Sequence, residues 1–172
     1  MKDPALLYDE DFLAWTEQQA KALRVAARGG INPRAGTNHP VANQPVDWEH
    51  LAEEIESLGL SERRELHSQI HRIIRHLLQL AFSRASPRRQ GWIDSIDDAR
   101  DMAARVLDAS PSLRRELDAV ITAEQPRGAR AAIRDLGRYG ELDPDISSAI
   151  RNVRYGAEQV LGDWFPPEPP AA

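Results

Sequence analysis

Carboxylates and imidazoles crowd into the stretch from residue 47 to 82, DWEHLAEEIESLGLSERRELHSQIHRIIRHLLQLAF. Glu49, Glu53, Glu54 and Glu56 fall there, and the five histidines of the chain stand at 39, 50, 67, 71 and 76. Carboxylates four apart share a helix face. His67 and His71 have the same spacing, which lets one helix offer two imidazoles to a metal ion. A helical bundle can host such a site between facing helices, as di-iron carboxylate proteins do. Their Glu-x-x-His pattern is missing, however: three residues after Glu53 comes Glu56, and three after Glu56 comes Gly59. The plainer reading is a solvated acidic face with surface histidines.

His76 is a separate case. Helical geometry sets it beside a stripe of Leu66, Ile73 and Leu77, on the flank with Gln69 and Glu65, where a carboxylate such as Glu54 would orient a half-buried imidazole. That arrangement would serve a general base or a structural hydrogen bond equally well, and no nucleophile is placed beside it. Glu53, Glu56 and His76 are thus the candidate acid/base set of a hydrolytic or metal-using bundle enzyme, with His67 and His71 as candidate metal ligands. The structural alternative pairs Glu53 and Glu56 with arginines such as Arg63. No cofactor is implied, because a glycine-rich phosphate loop, a zincin motif and a nucleophile elbow are all absent.

Between Ser61 and Gln90 lie Arg63, Arg64, Arg72, Arg75, Arg84, Arg88 and Arg89, against Glu62 and Glu65. Such a basic patch can meet phosphates or an acidic partner. It lacks aromatic stacking platforms, and the formal net charge of -5 argues against a general nucleic-acid binder. Internal ion pairing is the simpler explanation. Lysine occurs only at positions 2 and 21, so nearly all the basic charge is arginine.

The elements that must position these groups are helices. Asp47 is placed to cap a first helix, whose Trp48, Leu51, Ala52, Ile55 and Leu58 form an apolar stripe opposite Glu49, Glu53 and Glu56. Gly59 is expected to end it, and Ser61 to cap a second, longer helix buried through Leu66, Ile70, Ile73, Ile74, Leu77, Leu78 and Ala81. Joined by so few residues, the two would fold as an antiparallel pair. Before them, a helix over about 5–28 carries Leu7, Tyr8, Phe12, Trp15, Gln19 and Leu23 on one face, followed by an irregular loop over 29–46. After them come a helix over about 89–109 facing inward through Trp92, Ile96, Ala99, Ala103, Val106 and Leu107, and another capped by Ser110. That helix is interrupted at Pro126 and Gly128 and restarts over 129–138. Pro144 opens a short helix, and a final turn or two ends before Gly162. Trp164 and Phe165 should lie against the bundle, with the prolines from Pro166 leaving it.

With 172 residues, 41% hydrophobic and 28% charged, the chain fits one globular domain with a proper core. No run approaches the ~18 apolar residues of a membrane span, and the opening MKDPALLYDEDF is too acidic for a secretory signal. The expected location is cytoplasmic. Cysteine is absent, which removes disulfides, zinc ribbons and thiol nucleophiles. The predicted fold is all-α: a single-domain multi-helix bundle over 1–165 organised on the antiparallel pair, with no sheet and a disordered proline-rich tail over 166–172.

The segments YDEDFLAWTEQQAKAL at Tyr8–Leu23 and DWEHLAEEIESLGLSERREL at Asp47–Leu66 resemble the bacterial family catalogued as domain of unknown function 29. His76 with Leu77 and Leu78, Trp92 with Ile96, SPSL at Ser110–Leu113 and the closing EQVLGDWFP continue the resemblance. The longer 29–45 loop, Leu80 in place of an aromatic, and Asp97 with Asp98 depart from it. The resemblance implies a helical protein and assigns it no activity. The expected role is a non-catalytic protein-interaction module, binding another protein or itself through exposed helix faces, without a membrane.

Overall fold

The computed structural model describes residues 4–28, 46–84 and 86–169; the 29–45 loop and His39 lie outside them. Among the described residues there are seven α-helices and no strand: α1 (Pro4–Glu10), α2 (Phe12–Arg28), α3 (Trp48–Phe82), α4 (Ser86–Ala109), α5 (Leu117–Arg138), α6 (Pro144–Asn152) and α7 (Ala157–Leu161), with a 3-10 turn at Pro111–Arg115. No helix among them is long and apolar enough to cross a membrane. Two compact units emerge, unit 1 comprising Met1–Glu62 with Ala109–Pro111, and unit 2 comprising Arg63–Asp108 with Ser112–Ala172.

The expected helix pair is one helix. α3 runs unbroken for 35 residues through Gly59, a length of about 52 Å at 1.5 Å per residue. A mid-helix glycine costs about 1 kcal/mol relative to alanine, and here close packing outweighs that cost. A Cβ at position 59 would stand 2.2 Å from Thr16 Oγ1 and 2.9 Å from Leu13 Cδ1, so the missing side chain is what lets α3 approach α2. Ala52, Gly59, Leu66, Ile73 and Leu80 recur every seven residues and are all buried. That row is the inward face of α3. Asp47 does cap it, Oδ1 accepting the His50 N–H at 3.1 Å.

In unit 1 the expected 5–28 helix is divided at Asp11, whose Oδ1 accepts the Ala14 N–H at 3.1 Å and so starts α2 afresh. The first-turn N–H of Leu13 donates to the buried Ser110 Oγ at 3.2 Å, which brings the turn at 109–111 into this unit. Inside lie Leu13, Thr16 and Ala20 of α2 with Ala52 of α3. The aromatic face of the first helices is not the core. Tyr8 is 51% exposed and Leu51 41%, and the Tyr8, Phe12 and Trp15 rings pack on one another at centroid distances of 4.9–5.8 Å. The buried row of α2 sits one residue round from the aromatic one, because Thr16 and Ala20 are small enough to admit α3.

Unit 2 has the larger core. Leu66, Ile70, Ile73, Ile74 and Leu77 of α3 are fully buried, with Trp92, Ile96, Ala99 and Ala103 of α4 and Leu136 of α5. Cross-links between α3 and α5 advance together from Arg63 with Glu116 to Ser83 with Glu141, so these helices run parallel. α5 continues through Pro126 and Gly128, where an interruption was expected. A Cβ on Gly128 would meet Ile74 Cγ2 at 2.6 Å, making this the second place where a glycine admits a neighbouring helix. α5 ends where Gly140 takes φ 71°, with Glu141 N–H donating to Leu136 O at 2.9 Å, the geometry that glycine adopts at no steric cost. Asp143 then caps α6, its Oδ1 accepting the Ile146 N–H at 2.7 Å.

The end of the chain is held by one guanidinium. Arg100 of α4 is 8% exposed; its Nε donates to Val160 O at 3.0 Å, and its Nη2 to Gln159 O at 3.0 Å and Trp164 O at 2.7 Å. Its Cζ sits 4.7 Å over the Phe165 ring. Pro166 stays buried and Glu168 pairs with Arg89 at 3.2 Å, so the chain remains against unit 2 beyond Phe165.

Candidate functional site

The histidines proposed as metal ligands converge on a carboxylate. His67 Nδ1 lies 2.8 Å from Glu124 Oε1, and His71 Nδ1 3.4 Å from Glu124 Oε2. Arg127 Nη1 adds a third contact at 3.0 Å. Glu124 stands on α5 and its side chain is 2% exposed. A carboxylate only accepts hydrogen bonds, so His67 presents a protonated Nδ1 to it. Burial alone would raise the Glu124 carboxyl, but the His67 and Arg127 hydrogen bonds outweigh that and hold it below its ordinary value of 4.5. Desolvation pushes His71 below its ordinary 6.5 despite the opposing pull of Glu124. No group of three or more histidine or acidic ligands suited to a metal ion occurs among the described residues.

His76 is oriented from α5. Its Nδ1 lies 2.6 Å from Gln79 Oε1, and the buried Gln79 passes its Nε2 hydrogen bond to Asp135 Oδ2 at 2.9 Å. Because the Gln79 amide nitrogen faces Asp135, its oxygen faces His76 and accepts the Nδ1 proton. Arg75 reaches the same Asp135 Oδ2, its Nη2 at 2.6 Å and its Nε at 2.7 Å. Desolvation, followed by the charges of Arg75 and Arg72, lowers the His76 pKa below 6.5. The imidazole is therefore a neutral, half-buried member of a structural chain of hydrogen bonds. Asp135 fills the orienting role expected of Glu54.

Glu53 and Glu56 do not join it. Both lie on α3 with His76, and the twenty residues from Glu56 to His76 span about 30 Å of helix. Glu53 is exposed. Glu56 accepts from Arg24 Nη2 at 2.5 Å, and Arg24 Nε also reaches Glu49 at 3.4 Å. That hydrogen bond lowers the Glu56 pKa. His50 and Asp47 form an exposed pair at 2.5 Å, which raises the histidine pKa and lowers that of the aspartate.

The arginine run is largely engaged. Arg63 makes a two-pronged bond to Glu116 at 2.9 and 3.0 Å, Arg75 pairs with Asp135, Arg88 with Glu141 at 2.9 Å, and Arg89 with Glu168. Arg88 also lies 3.9 Å over the Tyr139 ring.

Sequence reasoning missed Glu124, Gln79, Asp135 and Arg100, the four polar side chains that these clusters are built on. The first three sit on stripes otherwise filled by aliphatic or small residues. A polar residue in such a row was the available signal.

Two open hollows accompany these clusters. One of about 330 Å³ in unit 2 is bordered by Phe82, Arg84, Glu141, Leu142 and Ile146. A shallower one of about 870 Å³ follows the outer side of α2 past Ala14, Gln18, Lys21, Ala22 and Val25. The second belongs to a wider pattern. Leu6, Tyr8, Val25, Val46, Leu51, Leu58 and Leu60 are 37–59% exposed, and all lie in unit 1; of the exposed large apolar side chains among the described residues, only Met102 and Tyr139 belong to unit 2.

Helices tied by inter-helix ion pairs, with an exposed apolar surface and a buried carboxylate clasped by histidines, define an all-α protein without a recognisable catalytic constellation among the described residues. The chain belongs to the family described as domain of unknown function DUF29, which matches residues 7–165. It is similar to a solved α-helical protein of unknown function from Rhodospirillum rubrum, at 24% identity and a TM-score of 0.66 over 91% of this chain and 89% of that one. That likeness establishes the fold. No curated protein matches the chain.

Proposed function

We propose that the chain is a cytoplasmic, non-catalytic protein-interaction module and that unit 1 supplies its docking surface. The observation that carries this reading is the gathering of seven exposed large apolar side chains in unit 1. Scattered apolar residues on a surface need no explanation, but a concentration of them in one region marks a contact site. The polar clusters of unit 2 support the same reading, because His76, the candidate catalytic group there, is engaged by Gln79. A photo-reactive side chain placed in turn at Leu6, Val25, Met102 or Tyr139 of the full chain tests it in cells. Cross-links to other polypeptides are expected at the first two positions and not at the last two. Equal cross-linking at all four, or none together with turnover of a substrate by purified protein, overturns it.

A further inference from the structure

The first half of α3 carries two apolar rows with different fates. Ala52 and Gly59 are buried against α2. About a fifth of a turn round the helix runs a second row of Trp48, Leu51, Ile55 and Leu58, spaced three, four and three. Leu51 is 41% exposed and Leu58 49%, while Trp48 and Ile55 are half-buried. Spacing of this kind is the seam along which two helices pack side by side.

The charges beside the seam decide what it accepts. From Val46 to Glu62 there are six carboxylates and no lysine or arginine. Asp47 and Glu54 fall next to Leu51 and Leu58 on the outer flank, and Glu62 continues the row one step beyond Leu58. Glu54 and Glu62 are in no ion pair among the described residues. Arg24 neutralises Glu49 and Glu56 on the opposite flank. A second copy pairing through this seam would set Asp47 and Glu54 against the same carboxylates, and like charges across an interface are unfavourable. A helix with an apolar face and arginines or lysines beside it would satisfy both features at once.

We infer that the Trp48–Leu58 seam of α3 docks a basic amphipathic helix of another protein. The inference rests on the interaction reading above and names the chemistry of the partner.

The probe is a synthetic peptide about three heptads long with leucine and isoleucine in the seam positions and arginine on the flanks; its counterpart carries glutamate on the flanks. The full-length chain should bind the arginine peptide at least tenfold more tightly than the glutamate one. Leu51→Glu with Leu58→Glu should abolish binding while leaving the circular dichroism of the fold unchanged. Glu54→Arg with Glu62→Arg should reverse the preference between peptides, and Glu53→Arg, on the far flank, should leave it as it was. Equal binding of the two peptides, no binding of either, or a preference that survives the double reversal overturns the inference. So does a dimer in sedimentation that Leu51→Glu dissociates, which would make a second copy the occupant. Cross-linking confined to Leu6 and Val25 alongside a negative peptide result sinks the inference alone and leaves the interaction reading standing.

Discussion

Unit 1 and unit 2 share α3 and treat charge and apolar surface in opposite ways. The residues of unit 1 include eleven carboxylates against five lysines or arginines, and those of unit 2 sixteen against seventeen. In unit 2 the charges are arranged in pairs, with Glu124 and Asp135 buried and each held by cations and hydrogen-bond donors. Unit 1 keeps surplus negative charge, and it holds most of the exposed large aliphatics. The contrast teaches that one continuous helix can be buried along one half and leave apolar side chains exposed along the other. Only its Ala52 to Leu80 row is common to both.

The widest gap between the units should appear in the same substitution made at two places on α3. Leu66→Ala in unit 2 removes a fully buried side chain and is expected to cost about 2 to 5 kcal/mol. Leu58→Ala in unit 1, 49% exposed, should stay within about 0.5 kcal/mol. Urea unfolding of both variants measures the difference, and similar losses would erase the comparison.

Next is Arg100→Lys. An ammonium cannot reproduce the planar fork that reaches three carbonyls, and leaving those carbonyls unbonded should cost roughly 1 to 3 kcal/mol. A red shift of tryptophan emission, which Trp164→Phe should diminish, would locate the loss at the chain end. Asp135→Asn tests the buried pairs more gently. It keeps an acceptor for Gln79 but removes the charge facing Arg75, with an expected loss of about 1 to 2 kcal/mol, readable as a lowered melting temperature at neutral pH.

The smallest effect is one of sign. The folded pKa of His71 lies below its ordinary 6.5, so the unfolded chain takes up a proton first and stability falls as pH drops through that value. His76 acts in the same sense, and Glu124 adds a further loss below 4.5. His50 in unit 1 is raised, so its contribution is present in acid and fades as pH rises past 6.5. Melting temperature against pH should therefore flatten below pH 6.5 in His71→Phe and rise more steeply above pH 6.5 in His50→Ala. Identical slopes in the two variants would remove this distinction between the units.

Much of the architecture was readable from residue patterns. The inward face of α4, the cap at Asp47, the proline start of α6 and the turn at Gly140 each follow from local chemistry. Gly59 did not, because a glycine that ends a helix and one that admits a neighbour look alike until the neighbour is placed. The Trp48, Leu51, Ile55, Leu58 stripe was the natural core by composition, yet α2 packs on small residues one row away. The histidines were legible as a pair at helical spacing, while their partner Glu124 lies more than fifty residues further on. No local pattern connects groups so distant in the chain.

The Arg100 guanidinium has its carbonyl partners about sixty residues later. Until those residues have been made the guanidinium stays hydrated, with Asp97 one turn earlier on α4 as a neighbouring counter-charge. Unit 1 needs only Ala109–Pro111 from beyond Glu62, and its residues have all been made once about two thirds of the chain is complete. Unit 2 must wait for the closing turn at Gln159 and Trp164, so the acidic unit can close before the other is finished.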